Sequence, residues 1–401
     1  MLLAYVFELS SSKTRIPSVI LLLSLGWGLK QLVYFLINEE LFFLSKEKEI
    51  EWTKNLTNLL SILGTVGLIV IVLEGALDVH LNKKKFSLFR KSIVVAVIPM
   101  LLLGFGLAWA FTYFGNFDFK SSLTSAIPLC VISSAIAIPS VKYLSRRNKE
   151  FVIYESSMSD ILGVLFFNFV ALNVTINFSA FMFFIYELGI IAIISFVATV
   201  GLAFLLSRID HHIKFLPIII LVILIYAISK VYHLPALIFI LLFGLFIGNL
   251  EEFKKYKFIN ALRPDQLNLE VKKFKEILSE ATFLIRALFF LLFGFLITTD
   301  ELLNPDTLVW ALGISGAIFL IRFIQLKLAK LPASPLLFIA PRGLITILLF
   351  LEISAIGGKP IEVVNRPLLI QIIVITSIIL MLGLMFHKKI SKEELELTEE
   401  N

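Results

Sequence analysis

Five histidines, one cysteine and a charged fraction of only 16% are spread over 401 residues. Each scarcity removes a class of function. The lone thiol, Cys130, lies inside an apolar run, which rules out an internal disulfide or a cysteine-based metal cluster. It reads as a small packed hydrophobe. The histidines sit at the ends of apolar runs or in the stretches between them. None belongs to a His-Glu-x-x-His arrangement or pairs with a serine at membrane depth, so an embedded enzyme is not expected.

What is abundant is hydrophobicity. Apolar residues make up 58% of the chain, and runs of about 18 to 23 of them recur from end to end, the length that crosses a bilayer. Such runs take up almost all of residues 1–390, so one membrane domain with no appended nucleotide-binding or regulatory module is expected. The remainder, 391–401, is a short acidic tail of disordered composition. The start, Met1 to Glu8, lacks a basic leader and a cleavage site, so it does not read as a signal peptide. It is also too short to span. A half-length first helix, or a start inside a longer one, is expected.

The net charge is +6 and the pI about 9.2. In a soluble protein that balance would suggest nucleic acid. Here the basic residues cluster in short loops between apolar runs, which is the positive-inside pattern, and no nucleic-acid partner is expected.

Thirteen segments are expected, near 1–10, 16–37, 57–79, 92–114, 121–144, 151–175, 181–206, 215–229, 234–249, 281–299, 307–328, 334–354 and 367–387. Lys83, Lys84, Lys85, Arg90 and Lys91 follow the third segment, Arg146, Arg147 and Lys149 the fifth, Arg208 and Lys214 the seventh. The intervening loops are neutral or acidic, as at Asp300, Glu301 and Asp306. Together with Lys388 and Lys389, this places the C-terminus in the cytoplasm and the N-terminus outside. The longest loop, 251–280, holds seven basic residues. Leu267, Val271, Phe274 and Leu278 recur in it at helical spacing, predicting an amphipathic helix on the cytoplasmic surface.

One linker helix between two sets of six permits inverted repeats, a common transporter architecture. The fifth and twelfth segments are then equivalent, and both carry interruptions: Ser133, Ser134 and Pro139 in the former, Pro341-Arg342-Gly343 in the latter. Broken helices at matching positions point to a midplane ion site. The fold class expected is an all-α polytopic membrane protein, two six-helix inverted repeats with crossed broken helices.

An ionised group at membrane depth costs several kcal/mol and persists only with a partner, a water-filled cavity or a function. Four stand out: Glu155 and Asp160 on the sixth segment, Arg322 on the eleventh, Arg342 on the twelfth. Asp160 lies near mid-depth, and a carboxylate there is suited to hold either a proton or a cation, never both. Ser156, four residues earlier, shares its helical face and offers a second hard oxygen. Glu155 points elsewhere and needs a cation, for which Arg322 is the best candidate and Arg286 a second. Arg342 follows a proline at a break, where it can neutralise the negative ends of half-helices. Glu74, Asp78, Glu187 and Lys30 also lie in or near segments, with snorkelling the default explanation for Asp78 and Lys30.

Glu155-Ser156-Ser157-Met158-Ser159-Asp160 is similar to the Glu-Ser-x-x-Asn-Asp motif of the monovalent cation:proton antiporters, the sodium-proton exchangers. Leu73-Glu-Gly-Ala-Leu77, Phe289-Phe-Leu-Leu-Phe-Gly294 and Pro341-Arg342-Gly343 resemble further stretches of that family, and the likeness spans nearly the whole chain. The resemblance implies that Asp160 carries ion and proton, that Glu155 pairs with Arg322, and that no cofactor is needed beyond the transported Na+ or K+ and H+. Two departures are plain. The family's Asn is Ser159 here, and no Asp occurs from Lys120 to Ser159, where the family's early broken helix carries Thr-Asp-Pro. That position falls among Ser133, Ser134, Ala135 and Ile136, so serine hydroxyls and unwound carbonyls take its place.

The expected mechanism is alternating access, a core carrying the broken segments moving against a dimerising panel. Asp160 binds Na+ or K+ with Ser156 and oxygens near Ser133 and Ser134, and one titrating carboxylate makes the exchange electroneutral. A homodimer in the bacterial cytoplasmic membrane, bathed by the lipid bilayer, is expected. A proton-coupled carrier or channel-like protein for another solute on the same scaffold is the alternative.

Overall fold

In hydrocarbon no water is present to satisfy peptide groups, so an apolar run closes its hydrogen bonds within itself and becomes a helix. The computed structural model describes residues 2–14, 16–38, 46–79, 86–141, 144–173, 176–208, 219–220, 222–224, 226–227, 236–249 and 264–386. Among these residues all regular structure is helical. The elements are α1 (Leu2–Thr14), α2 (Ser18–Asn38), α3 (Lys46–Asp78), α4 (Phe86–Gly115), α5 (Phe119–Cys130), α6 (Ser134–Ser140), α7 (Arg146–Leu172) and α8 (Phe178–Arg208). They continue as α9 (Ala236–Gly248), α10 (Pro264–Leu296), α11 (Thr299–Leu302), α12 (Pro305–Leu328), a 3-10 turn at Leu336–Phe338, α13 (Leu344–Ala355) and α14 (Arg366–Phe386).

Nine spans among the described residues are long and apolar enough to cross a bilayer, with shorter apolar helices at Ile238–Gly248 and Leu344–Ala355. Their starts follow ordinary capping chemistry. Asp118 accepts from the Ser121 N–H at the head of α5, and Asn304 from Asp306 at the head of α12. The tail, most of the 215–229 segment, the loop lysines 83–85 and 214, residues 251–263 and all five histidines lie outside the described residues.

Three expectations need correction. Pro139 does not break the fifth segment. The break is Val131–Ser133, and Pro139 sits within α6. Having no N–H, Pro139 leaves the Ala135 carbonyl without its helical donor; Arg286 Nη1 supplies one at 3.4 Å. Second, the first half of the twelfth segment is only a 3-10 turn, and its break runs from Ile339 to Gly343. Third, the periodic stretch of 264–280 is helical, as its spacing predicts, but is not a separate element. It continues into the tenth span as the single helix α10, and Phe274 and Leu278 are fully buried.

The chain divides into two units. The first comprises Met1–Thr65, Lys91–Gly163 and Leu284–Asn401. Within it α1 packs on α2, α12 on α14, and α13 on α5. Gly26 of α2 and Gly294 of α10 bring two backbones together: a Cβ on Gly294 would stand 2.9 Å from Leu23 Cα. The second unit comprises Val66–Arg90 and Val164–Phe283. There α8 packs on α9, and Gly244 and Gly248 lie against Leu73 and Leu77. Asn249 Nδ2 donates to Val79 O at 2.8 Å, closing the end of that contact.

Candidate functional site

The site lies in the first unit, where the extended residues 131–133 of one broken segment cross 339–343 of the other. An extended stretch in hydrocarbon must find partners for its peptide groups outside itself. Three successive N–H groups do so on three different partners. Ile132 N–H donates to Ser159 Oγ at 2.9 Å, Ser133 N–H to Pro341 O at 2.9 Å, and Ser134 N–H to Asp160 Oδ2 at 3.3 Å. The crossing is tight because position 343 lacks a side chain; a Cβ there would come within 2.6 Å of Ile136 Cδ1 and 2.8 Å of Ser133 Oγ.

The carbonyls are met by Arg342. Its Nε donates to Leu129 O at 2.6 Å, in the last turn of α5, and its Nη1 to Ala340 O at 3.1 Å. Its own N–H rests on Thr376 Oγ at 3.1 Å. A guanidinium at the carbonyl end of a half-helix opposes the negative pole of that helix. Nothing in the sequence marks Thr376 for this role, since a buried threonine on a membrane helix ordinarily bonds its own backbone. Thr376 does that too, donating to Ile372 O at 2.8 Å.

Asp160 sits near the middle of α7 and is 6% exposed. Among the described residues it has no salt-bridge partner, and its Oδ1 is buried with no hydrogen bond. Ser133 Oγ and Ser157 Oγ are likewise buried and unpartnered. Buried oxygens in that state are uncommon in folded proteins, and these keep lone pairs free for a ligand. Ser157, three residues before Asp160, was not among the expected ligands. Its spacing is the only sequence signal for it. Ser156, which was, donates its proton to Val152 O at 2.8 Å, keeping its lone pairs for acceptance.

Glu155 faces away toward Arg322. The contact is bidentate, Nη1 to Oε1 at 2.9 Å and Nη2 to Oε2 at 3.0 Å, and both side chains are buried. Arg322 Nε donates to Leu336 O at 2.7 Å, tying the pair to the 3-10 turn. Arg286 contacts Ala135 O and makes no ion pair with Glu155. Lys30 does not snorkel. It is buried, with its ammonium 3.5 Å from Leu296 O and over the Tyr34 ring.

The family model for the transmembrane sodium/hydrogen exchangers matches residues 1–389. The chain belongs to the sodium/hydrogen exchanger family. Its relatives in that family are transporters, and the motif around Asp160 and the crossed breaks fall inside the matched range. Two solved structures share the fold. Both are of the sodium proton antiporter MjNhaP1 from Methanocaldococcus jannaschii, one determined at pH 8, the other from an electron-microscopy map. The first aligns with a TM-score of 0.66 at 17% identity, covering 96% of this chain and 93% of that one. The second gives 0.63 at 18%, covering 99% and 94%. Among curated proteins none matches this family member.

Proposed function

We infer that the chain exchanges one monovalent cation, Na+ or K+, for one proton by alternating access, with Asp160 as the shared carrier group. The observation that carries this reading is a buried mid-helix carboxylate with no basic partner among the described residues and one oxygen left unbonded. Ser133, Ser134, Ser156 and Ser157 surround the same break and carrier helix, and supply the neutral oxygens that a hard monovalent ion takes.

The burial itself enforces coupling. A bare carboxylate moved through hydrocarbon costs several kcal/mol. Protonated, or paired with a monovalent cation, it carries no net charge. Only those loaded forms cross, so a proton returns for each cation delivered and no net charge moves. Glu155 does not disturb this count, because Arg322 cancels it in place. In this reading MjNhaP1, described as a sodium proton antiporter, is a guide to the chemistry as well as the fold.

The wider architecture we infer is thirteen spans in two inverted six-helix repeats across 1–390, with 251–280 on the cytoplasmic side and a short tail at 391–401. The N-terminus faces outward and the protein is a homodimer of the bacterial cytoplasmic membrane. The matched breaks at Val131–Ser133 and Ile339–Gly343 and the basic loops support it.

The test is purified protein in liposomes holding a pH-sensitive dye, challenged with Li+, Na+ and K+ in turn. Dequenching with Na+ or K+ that ignores an imposed membrane potential is expected, and none from Asp160→Asn. Cation-driven dequenching that persists in Asp160→Asn would overturn the assignment. Flux that follows the potential would favour a channel-like protein instead.

A further inference from the structure

Helices α4 and α12 of the first unit do not close on each other along their outer face. Two cavities, of about 590 and 260 Å³, lie between them and share Leu102 and Ile321, so they form one groove. The larger is floored by small residues, Gly106 and Ala110 from α4, Gly313 and Ala317 from α12. A Cβ added at Gly106 or Gly313 would meet nothing within 4 Å. The walls are apolar and face outward, with Leu102 60%, Val309 75% and Leu328 80% exposed. From Val94 to Phe114 the groove follows twenty residues of helix, about 30 Å at 1.5 Å per residue, which is about the hydrocarbon thickness of a bilayer.

The two ends differ in charge. At the end lined by Val94, Val95 and Leu328, the exposed basic side chains adjacent in sequence are Lys91, Lys327 and Lys330. No acidic residue occurs in 90–99 or 320–331. Arg322, the remaining basic group there, is already neutralised by Glu155. The opposite end, lined by Phe114, Val309 and Trp310, has Asp118, Asp300 and Asp306 in its flanking segments. Lys327 lies with its ammonium 4.7 Å from the ring centroid of Phe323, which is outside the groove lining, so it adds positive charge to that end without entering the groove.

We propose that this groove binds an anionic phospholipid. One acyl chain lies along Val94, Ile98 and Leu102 toward the Gly106–Gly313 floor, and the phosphate is held by Lys91 and Lys330. The occupant follows from the chemistry of the two parts. An apolar groove open to the hydrocarbon, whose half from Val94 to Gly106 runs about 18 Å at 1.5 Å per residue, fits an acyl chain. Basic residues at one end, with no acidic residue in the adjoining segments 90–99 and 320–331, select a negative headgroup over a zwitterionic one. The basic end is the side on which positive-inside loops gather, where anionic lipid headgroups attract them. None of these residues touches Asp160 or its supports, so the inference stands independently of the transport reading.

The experiment uses the full chain in liposomes containing a phosphatidylglycerol with a photoactivatable group at mid-chain. Crosslinks are expected on peptides from α4 and α12 and to be competed by unlabelled phosphatidylglycerol, not by phosphatidylcholine. Lys91→Gln and Lys330→Gln should each weaken that competition by about fivefold. Gly106→Leu and Gly313→Leu, whose Cβ atoms meet no neighbour within 4 Å and which favour the helix, should fill the floor and abolish the crosslinks while leaving the thermal transition in detergent intact. Crosslinks spread over other exposed apolar faces such as α8, equal competition by both lipids, or indifference to all four variants would overturn the proposal. So would chain-to-chain crosslinks through this face, which would make its occupant a second copy.

Discussion

Arg322 grips Glu155 through both terminal nitrogens, at 2.9 and 3.0 Å, while its Nε holds the Leu336 carbonyl at 2.7 Å. One buried side chain thus neutralises a carboxylate on α7 and fixes the 3-10 turn that leads into the second break. Removing one member of such a pair leaves an uncompensated charge, which costs about 3 to 5 kcal/mol, whereas replacing both is often neutral. Arg322→Met is therefore expected to lower the melting temperature in detergent sharply, and Glu155→Gln in the same background to restore much of it. Thermal melts of the two single variants and the double variant measure the coupling. A double variant as unstable as Arg322→Met alone would show that the Leu336 contact, not the ion pair, dominates.

Arg342 tests a different electrostatic role. It is buried and holds Leu129 O and Ala340 O, both carbonyls at interrupted backbone. With Arg342→Met each loses its donor, at about 1 to 3 kcal/mol per buried group, and the α5 terminus loses its opposing charge. Lower melting temperature and lost cation-driven dequenching are expected together. Arg342→Lys, which keeps the charge but reaches fewer acceptors, should recover stability only in part. Full recovery by Lys would assign the effect to charge alone.

How far the sequence reveals this arrangement differs residue by residue. Glu155 and Arg322 are legible because two opposite charges at membrane depth have few other ways to exist. The crossing of two breaks is legible in outline from polar and proline-bearing interruptions. Its register is not. Pro139 advertises a break, yet it lies in the last turn of α6, which ends at Ser140, and Arg286 supplies the missing donor at Ala135 O. The break, Val131–Ser133, ends at the Ser133 that the sequence marks but begins with two ordinary apolar residues, and the N–H groups of Ile132, Ser133 and Ser134 are satisfied by Ser159, Pro341 and Asp160, all distant in sequence. The helical spacing of Val271, Phe274 and Leu278 identifies a helix but not what covers it; that depends on tertiary packing. The hydroxyl rotors are equally unreadable, so Ser156 bonding its own helix while Ser157 stays unpartnered emerges only in three dimensions.

Ser159 replaces the family's usual Asn and accepts the Ile132 N–H at 2.9 Å. Among the described residues Ser159 is the only acceptor for that peptide group. Ser159→Ala strands a part-buried donor at the break, at about 1 to 3 kcal/mol. The expected result is a lower melting temperature and faster amide exchange at Ile132, with the exchange at Ser133 and Ser134 changed less. Unchanged exchange at Ile132 would mean that another acceptor, such as water, takes over without penalty.

Two glycines separate packing from function. At Gly294 an added Cβ would press on the Leu23 backbone, its Cα 2.9 Å away and its carbonyl oxygen nearer still; at Gly26 it would press on Phe295 N, 2.6 Å away. Backbone on either helix cannot swing aside, so Gly294→Ala should push α2 and α10 apart, at about 1 to 3 kcal/mol for overpacking. At Gly343 the atoms in the way are side-chain tips, Ile136 Cδ1 and Ser133 Oγ, and both can rotate. Gly343→Ala should therefore fold with little loss but turn the Ser133 hydroxyl from its place beside the break. The expected pattern is a lowered melting temperature with unchanged half-saturating cation concentration for Gly294→Ala, and the reverse for Gly343→Ala, with half-saturation raised several-fold. Melts and dequenching over a cation series on the same preparations read both quantities. If Gly343→Ala leaves half-saturation where it is, Ser133 does not hold the ion, and the oxygens that do are those of Asp160, Ser156 and Ser157 on the carrier helix.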